Sequence, residues 1–307
     1  MSAAKPLEVA IWGCGAVAGG GALPDCFTHA GAYAAAGGFR IVAAIDPDPA
    51  RRAAFASRWQ VPATFADLPD DLAVDVVSLC TPTACHAGHL ARLRGHPCRA
   101  VFAEKPLMAD ARGFPKPLLV NHLRRFDPAM RALREEIAAG QWGALKAATA
   151  LYTKGILNNG SHMIDLAQYL LGPARLLHAG PARADHDAAD PTADAVLEIA
   201  GAPFHLAGGD ARDFSVFELT LVFAGGMVTV EDGGFAVRRR RAVASPRFAG
   251  YRTLESGSME KTALDQAMTL AARDLKRCLA EGGPLASDAA SAHAAEALCR
   301  AILAAAR

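Results

Sequence analysis

The stretch Leu7-Glu8-Val9-Ala10-Ile11-Trp12-Gly13-Cys14-Gly15-Ala16-Val17-Ala18 decides the fold of this 307-residue chain. Its first six residues form a short, largely apolar run that ends in glycine, which is typical of a buried parallel strand. Glycines 13 and 15 allow the backbone to approach a pyrophosphate, whose negative charge a following helix N-terminus would favour. We therefore predict a strand, a glycine turn and a helix, which either bind a dinucleotide or form an ordinary glycine-rich strand–helix turn.

The same alternation of strand and helix continues through the first third of the chain. Apolar runs at 39–45, 74–80, 100–103 and 118–120 predict further strands, and 50–59 and 86–94 predict helices. Repeated strand–helix units form a parallel, doubly wound sheet with right-handed crossovers. We predict an α/β N-terminal domain over residues 1–124.

After residue 125 the pattern changes, and a second domain is predicted over residues 125–307. Segments 128–139 and 160–171 have amphipathic helical spacing, and an alanine-rich helix is predicted from about 286 to 306. Residues 217–223 and 227–231 alternate as a β-hairpin with one dry face. We predict an open antiparallel or mixed sheet covered on one face by helices, with 181–191 as a surface loop.

Composition excludes several classes of protein. Hydrophobic residues make up 52% and charged residues 21%, and the formal net charge of +1 favours neither nucleic acid nor an acidic membrane. Seven irregularly spaced cysteines without a Cys-x-x-Cys pair indicate reduced thiols, with no disulfide framework or metal site. Residues 1–8 lack a signal-peptide pattern, and no apolar stretch approaches roughly 20 residues. We predict a cytoplasmic protein, with the basic run 238–241 on a solvated strand or loop.

Asp46, at the end of the second predicted strand, is placed to accept hydrogen bonds from a ribose diol. Its carboxylate repels a 2′-phosphate, which favours NAD over NADP. The spacing of 31 residues from Gly15 exceeds the usual ≈20 and predicts an insertion around 22–38. The alternative is a helix cap before Pro47. Arg51 and Arg52 either cover the adenine or lie on an exposed helix face.

Glu104-Lys105-Pro106 follows the strand 100–103, at the edge where open α/β sheets bind ligands. A lysine there can polarise a carbonyl, or accept the proton of an alcohol as a hydride leaves. That role requires a lowered lysine pKa, which burial or a nearby positive charge supplies. The alternative is a surface lysine paired with Glu104.

A second polar cluster surrounds His162. Asn158, His162 and Asp165 have spacings of four and three residues, so in a helix they would share one face. His162 could exchange a hydrogen bond with a substrate hydroxyl while Asp165 orients the ring. The alternative is a capped helix start with one satisfied histidine.

Together these motifs resemble the glucose-fructose oxidoreductase / inositol dehydrogenase (Gfo/Idh/MocA) family over nearly the whole chain. The motifs are Gly13-Cys14-Gly15, Asp46-Pro47, Cys80-Thr81-Pro82-Thr83 with His86, Glu104-Lys105-Pro106, Asn121-His122-Leu123-Arg124-Arg125-Phe126, and Gly160-x-His162-x-x-Asp165.

The resemblance implies an N-terminal Rossmann domain and a C-terminal α+β domain whose open, mostly antiparallel sheet carries the substrate site and often an oligomer interface. It implies an NAD-dependent dehydrogenase acting on a carbohydrate-like alcohol, as a homodimer or homotetramer. Lys105, preceding a cis Pro106, and His162 are the implied proton-transfer residues, with Asn158 and Asp165 setting geometry. The expected cofactor contacts are Gly13, Cys14, Gly15, Ala16, Val17, Asp46, Thr81, Pro82, His86, Glu104 and Lys105. The expected substrate contacts are Lys105, Asn121, Arg125, Tyr152, Asn158, Asn159 and His162, with Lys154 a weaker candidate.

The chain departs from the family pattern at two places. Many members have aspartate where this chain has Asn158, an amide that can hydrogen-bond a hydroxyl but cannot act as a base. Only 14 residues separate Pro106 from Asn121, and Gly113 with two prolines breaks the helix usually found there. Two alternatives therefore stay open: a hydrolase or lyase that oxidises and re-reduces its substrate on bound NAD, and a non-catalytic NAD-binding protein.

Overall fold

The computed structural model describes residues 5–306. Met1–Ala4 and Arg307, which the predicted domains include, therefore lie outside the described residues. So does half of the stretch 1–8, in which the sequence shows no signal-peptide pattern. The chain divides into two compact units. The first unit comprises the residues up to Phe126 together with Asp265–His293, and the second comprises Asp127–Leu264 and the residues from Ala294 onward. The first break lies close to the predicted boundary at 124/125. Residues 265–293, which the prediction assigns to the second domain, pack instead with the first.

The described secondary structure contains the following elements. The strands are β1 (Leu7–Trp12), β2 (Phe39–Ile45), β3 (Ala63–Phe65), β4 (Val76–Leu79), β5 (Ala100–Ala103), β6 (Leu118–Val120), β7 (Leu145–Tyr152), β8 (Ala174–Asp187), β9 (Asp190–Ile199), β10 (Ala202–Gly208), β11 (Phe217–Phe223), β12 (Gly226–Glu231), β13 (Ala236–Ala244), β14 (Arg252–Leu254) and β15 (Ser258–Lys261). The helices are α1 (His29–Ala36), α2 (Pro49–Trp59), α3 (His86–Gly95), α4 (Pro128–Ala138), α5 (Ser161–Leu171), α6 (Ala267–Glu281) and α7 (Ala289–Ala305).

The first unit is built on a six-stranded parallel sheet in the order β3-β2-β1-β4-β5-β6. This order is the doubly wound Rossmann arrangement, and it confirms the predicted fold class. The central strands β4 and β5 are wholly buried because helices cover both faces of such a sheet. The carboxyl ends of β1, β4 and β5 therefore meet at one edge, directly before Gly13, Cys80 and Glu104.

Residues 107–117, directly after the Lys105 motif, form no helix, as the glycine and prolines predict. Leu107 and Ala111 are nevertheless almost wholly buried, in the same apolar cluster as β5 and β6. Ala289 and Ala292, at the start of α7, join that cluster. The chain itself thus covers this face of the sheet with an irregular segment and the beginning of its last helix.

The second unit contains a nine-stranded sheet in the order β14-β13-β12-β11-β7-β10-β9-β8, with β15 beside β13. Among the described strands of this sheet, only β7 and β10 pair in parallel, which confirms the mostly antiparallel sheet. Along β11 the inward residues Phe217, Leu219, Leu221 and Phe223 pack in a cluster with α4, α5 and the later part of α7. Alternate residues face away from these helices, as expected for a sheet with one dry face.

The predicted surface loop at 181–191 is wrong, because these residues form the ends of β8 and β9 and the turn between them. Most of this part of β8 is exposed, and its pairing with β9 shifts register three times. The sequence consequently shows no regular apolar alternation. Backbone pairing forms the hairpin without that pattern.

The basic run 238–241 lies on β13 and is accompanied by carboxylates. Arg238 Nε lies 2.8 Å from Glu231 Oε1, and Arg239 Nη2 lies 3.1 Å from Glu136 Oε1. The strand placement agrees with the predicted strand or loop position.

None of the helices within residues 5–306 combines the length and apolar composition needed to cross a membrane.

Candidate active site

The glycine turn after β1 approaches the neighbouring strand closely. Gly13 has a left-handed φ of +95°, and a Cβ at this position would lie 2.7 Å from the carbonyl carbon of Cys80. Its N–H donates to the carbonyl oxygen of Ile45 at 2.7 Å. A Cβ at Gly15 would instead project into open space, with no atom within 4 Å. Gly13 is therefore required by the fold, whereas Gly15 leaves room beside the backbone for a ligand.

The helix predicted directly after this turn is absent, and α1 begins only at His29. Residues 15–24 fold as turns and bends, in which the Gly20 N–H donates to the Gly15 carbonyl at 3.0 Å. Gly19 and Gly21 adopt positive φ values of 122° and 101°, which a continuing right-handed helix does not allow. The extra residues thus lie ahead of α1, whereas the predicted insertion at 22–38 included the helix itself. Ala16 is exposed and Val17 is half-buried in this turn.

Asp46 ties the glycine turn to the end of β2. Its Oδ2 accepts the Cys14 N–H at 2.9 Å, and its Oδ1 accepts the Asp48 N–H at 2.9 Å. The cap of α2 is Asp48, whose carboxylate accepts the N–H groups of Ala50 and Arg51. Each carboxylate oxygen has two acceptor positions, so Asp46 retains capacity for a ribose hydroxyl. Arg51, about half exposed, places Nη1 3.7 Å from Asp46 Oδ2.

Cys14 contributes no negative charge to this turn. Burial, and next the neighbouring Asp46 carboxylate, raise the pKa of its thiol to about 12. The neutral thiol points toward the Ile45 carbonyl oxygen at 3.7 Å. A pyrophosphate beside the turn would therefore meet backbone N–H groups without repulsion from a thiolate.

These features fit a dinucleotide. The turn has open space at Gly15, a carboxylate at the end of the second strand, and a neutral thiol between them. The residues that would hold the cofactor's phosphates and ribose are those of the turn and Asp46.

His86 connects the loop after β4 to the loop after β5. Its Nδ1 lies 2.7 Å from the Pro106 carbonyl oxygen, and its Nε2 lies 2.8 Å from the Thr81 carbonyl oxygen. Carbonyl oxygens only accept, so a doubly protonated ring satisfies both bonds and a neutral ring satisfies one. Thr81 also approaches His89 through its hydroxyl, at 2.9 Å. Pro82 is exposed and begins the short 3₁₀ turn that precedes α3.

Glu104, Lys105 and Pro106 follow β5, and the Lys105–Pro106 bond is cis, as the resemblance implies. The Glu104 carboxylate accepts from His29 Nε2 at 3.0 Å and from Asn121 Nδ2 at 2.6 Å. Burial by itself raises the pKa of Glu104, but hydrogen bonds from His29 and Asn121 and the Lys105 charge bring it below the ordinary value. Glu104 is therefore an ionised carboxylate beside Lys105.

Asn121 is buried, and its Oδ1 accepts no hydrogen bond from any described residue. A buried acceptor without a donor is costly, so a donor from a bound molecule would be favourable at this atom. Arg125 is half-buried and donates through Nη1 to the Ala286 carbonyl oxygen at 3.3 Å. Asn121 is thus the more favourable of these two predicted ligand contacts.

In the second unit, the His162 cluster begins in a π-helical segment, Gly155–Gly160, which leads into α5. Asp190 of β9 holds this segment, because its carboxylate accepts the N–H groups of Leu157 at 2.8 Å and Asn158 at 2.7 Å. Asn158 is exposed, His162 is half-buried and Asp165 is buried. His162 and Asp165 both lie on α5. Asn158 precedes α5 in wider helical geometry, so the predicted four-residue α-helical spacing does not apply to it.

Tyr152, a predicted substrate contact, is a core residue of the second unit. Its hydroxyl donates to the Ala193 carbonyl at 2.8 Å and lies 2.9 Å from the Ala193 N–H. It fixes β7 to β9 and is wholly buried, so the structure does not offer it to a substrate. Asn159 and Lys154 are half-buried, and the Lys154 N–H donates to Asp185 at 2.7 Å.

Sequence reasoning missed the residues that support these motifs. His29 and Ser78 are wholly buried beneath Glu104, and Asp190 fixes the segment before His162. A polar residue inside an alanine-rich helix or an apolar strand is the available signal for the first two. Asp190 gave no signal, because its hairpin resembled a loop.

Residues 7–115 match the family described as "Oxidoreductase family, NAD-binding Rossmann fold". An inositol 2-dehydrogenase from Rhizobium meliloti (strain 1021) is 31% identical over 169 residues, which are 47% of this chain and 51% of that protein. The chain thus spans about half the length of this curated relative.

Solved structures share the fold of nearly the whole chain. The WlbA dehydrogenase from Bordetella pertussis, in complex with NADH and UDP-GlcNAcA, has a TM-score of 0.81 at 19% identity, covering 99% of this chain and 96% of that one. A 3-ketoreductase from Actinomadura kijaniata, in complex with NADP and TDP-benzene, has a TM-score of 0.76 at 17% identity, covering 98% of both chains. Because the two proteins carry different cofactors, the likeness does not choose between NAD and NADP.

Proposed function

Residues 7–115 of this chain belong to the Gfo/Idh/MocA family of oxidoreductases, and from that premise we propose that the protein transfers a hydride between an alcohol carbon and the nicotinamide of NAD. The alcohol is a sugar, polyol or nucleotide sugar. The relative that is 31% identical is an inositol dehydrogenase, and a protein of the same fold was solved with a nucleotide sugar.

One observation carries this proposal. Lys105 follows β5 at the same sheet edge as the Gly13–Gly15 turn and Asp46, so a cationic side chain stands at the edge where this fold binds dinucleotides. Its positive charge acts on the neighbouring Glu104 carboxylate. Proton transfer to or from an alcohol oxygen requires such a group within hydrogen-bonding reach.

The roles of the residues follow from their chemistry. When bound, the cofactor supplies the carbon that accepts or donates the hydride. Lys105 and His162 hold and move the proton of the substrate hydroxyl, while Asn158 hydrogen-bonds a neighbouring hydroxyl and Asp165 orients His162. Asn121 offers its free Oδ1 as an acceptor.

We also propose a cytoplasmic homodimer or homotetramer. Leu151 and Val222, which are exposed on β7 and β11 of the second unit, support an association through this sheet.

Incubation with NAD and a panel of inositols, sugars and nucleotide sugars tests the function. We expect the absorbance of NADH to rise, together with a matching ketone product, for at least one class of substrate. Cleavage of a glycosidic bond without net NADH would favour the hydrolase or lyase. NAD binding with neither product nor cleavage would overturn the enzymatic proposal and favour the non-catalytic one.

The cofactor preference gives a separate prediction. The wild-type protein should bind NAD more tightly than NADP, because Asp46 repels a 2′-phosphate. Asp46→Asn keeps one acceptor for the Cys14 and Asp48 N–H groups but removes the charge. We expect the ratio of the two dissociation constants, measured by calorimetry, to shift toward NADP by about tenfold, or ~1.4 kcal/mol.

Asp48→Asn is the matched control, since asparagine also caps helices and this carboxylate holds only the start of α2. It should leave the ratio unchanged. An equal shift in both variants would show that Asp46 does not select the cofactor.

A further inference from the structure

A chain of buried polar side chains runs through the first unit and ends at Glu104. His29, on α1, places Nε2 3.0 Å from Glu104 Oε1 and Nδ1 3.3 Å from the Ser78 hydroxyl on β4. The Tyr33 hydroxyl, one turn further along α1, lies 2.6 Å from Ser78 Oγ. His29 and Ser78 are wholly buried, and Tyr33 is nearly so. Such groups are costly to bury unless each has a partner, and here each has one.

One arrangement of hydrogen bonds satisfies all of these buried side chains while the imidazole ring of His29 is neutral. An ionised carboxylate only accepts, so His29 Nε2 carries the hydrogen that points to Glu104. Nδ1 is then an acceptor and takes the Ser78 hydroxyl hydrogen, while Ser78 Oγ accepts from Tyr33. Burial strongly raises the pKa of Tyr33, so its hydroxyl keeps the proton that it donates. Ser78 and Tyr33 therefore favour the His29 tautomer in which Nε2 carries the hydrogen.

The ring is also held by packing. The imidazole of His29 lies against Phe102 of β5, with ring centroids 4.3 Å apart. The Tyr33 ring contacts Phe102 edge-on and Phe39 at 4.8 Å. Because these contacts fix the direction of Nε2–H, the carboxylate that receives it is fixed as well.

Four groups close to the Glu104 carboxylate could affect its ionisation. His29 approaches from α1, Asn121 follows β6, and Lys105 is its neighbour in sequence. Cys80, after β4, is close enough to interact electrostatically, but burial raises the pKa of its thiol well above the ordinary value and keeps it neutral. The hydrogen bond from His29 is the strongest of the influences that lower the Glu104 pKa, and it acts against burial.

We propose that His29 is a positioning residue, which holds the Glu104 carboxylate ionised and oriented so that Lys105 is kept in place for proton transfer. Ser78 and Tyr33 support it by fixing the tautomer. This inference rests on the proposed function of Lys105. A merely structural role for His29 would stabilise the fold without affecting the ionisation of Glu104.

The test compares His29→Leu with His29→Gln. Leucine removes the hydrogen bond to Glu104, whereas the glutamine amide can donate in place of Nε2–H. In the leucine variant the acidic limb of the kcat/KM profile should move to higher pH by about one unit, because burial then dominates the Glu104 pKa. In the glutamine variant the acidic limb should return most of the way to its wild-type pH. Tyr33→Phe, which keeps the aromatic contacts, should move the limb less than His29→Leu.

Unfolding of the cofactor-free protein, followed from neutral pH down through and below the ordinary Glu104 pKa of 4.5, supplies a readout that needs no turnover. In the wild type the lowered Glu104 pKa stabilises the fold above the ordinary value of 4.5, and this stability is lost as the pH falls through the folded pKa. In His29→Leu the Glu104 pKa should be raised instead, so the pH dependence of its contribution to stability reverses. That contribution is then present below 4.5 and is lost as the pH rises through the folded value.

The outcomes separate the two proposals. A reversed pH dependence of stability without turnover on any substrate would support the effect of His29 on Glu104 but remove the proposed function. Turnover with an unmoved acidic limb in His29→Leu would overturn the positioning role and leave the function standing. Equal shifts in the leucine and glutamine variants would also overturn it, because the donor would then not matter. If His29→Leu does not fold, Tyr33→Phe and His29→Gln still decide: both keep a donor to Glu104, so a limb shift of about one pH unit in both contradicts the proposal.

Discussion

Replacing Lys105 with alanine should lower turnover at least ~100-fold, the scale expected when a positioned acid or base is removed. The affinity for NAD, measured by calorimetry, should be nearly unchanged, because the glycine turn and Asp46 would hold the dinucleotide. The loss should therefore appear in kcat. Lys105 stands directly after the ionised Glu104, at the sheet edge where this fold binds its ligands.

Lys5→Ala is the matched control for this substitution. Lys5 precedes β1 at the opposite end of the same sheet and forms an exposed pair with Glu8 at 3.5 Å, so its loss should cost little. Turnover in this variant should equal that of the wild type. Unchanged turnover in Lys105→Ala would remove the lysine from the proposed chemistry.

Substitutions at the two glycines of the turn after β1 should have different effects, with Gly15 affecting cofactor binding and Gly13 affecting stability. In Gly15→Ala the new methyl group meets no protein atom within 4 Å, so the free energy of unfolding should change by less than ~0.5 kcal/mol. The dissociation constant for NAD should rise by about 10- to 100-fold, or ~1.4 to 2.8 kcal/mol, because the methyl group occupies the space proposed for the pyrophosphate.

Gly13→Ala should behave in the opposite way. Its Cβ would lie 2.7 Å from backbone atoms of Cys80, at a positive φ that alanine disfavours by roughly 1–2 kcal/mol even without a clash. Chemical denaturation should show a large loss of stability. Gly88→Ala, where the new Cβ also meets open space but in helix α3, should leave both stability and NAD affinity intact or slightly raise stability. Equal NAD affinities in Gly15→Ala and Gly88→Ala would place the pyrophosphate elsewhere.

The sequence predicted the elements whose side chains alternate regularly. The buried strands of the first unit and the hairpin of β11 and β12 have clear apolar patterns, because each buries one or both faces. The β8–β9 hairpin was missed because most of β8 is exposed and its register shifts. The return of residues 265–293 to the first unit was missed for another reason: an amphipathic helix shows which face is buried but not the partner.

In the candidate site, too, local sequence patterns predicted some residues and missed others. Gly13, Asp46 and Lys105 were predicted because their chemistry is tied to strand ends, and the structure brings these ends to one edge of the sheet. His29 and Ser78 were missed because contacts between distant parts of the chain leave no local spacing. Tyr152 was misplaced because an aromatic residue near a polar cluster resembles a binding residue, and only the depth of β7 reveals it as core.

The discontinuous path of the first unit has a consequence for its biosynthesis. Helix α6 packs beside α1 and buries Met268, Ala271 and Leu275, yet it lies beyond the whole stretch from Asp127 to Leu264. A chain growing from its N-terminus therefore cannot complete the first unit until residues 127–264, most of the second unit, have been translated. Until α6 has been translated, the apolar surface that receives it stays exposed in the growing chain, and exposed apolar surface favours aggregation.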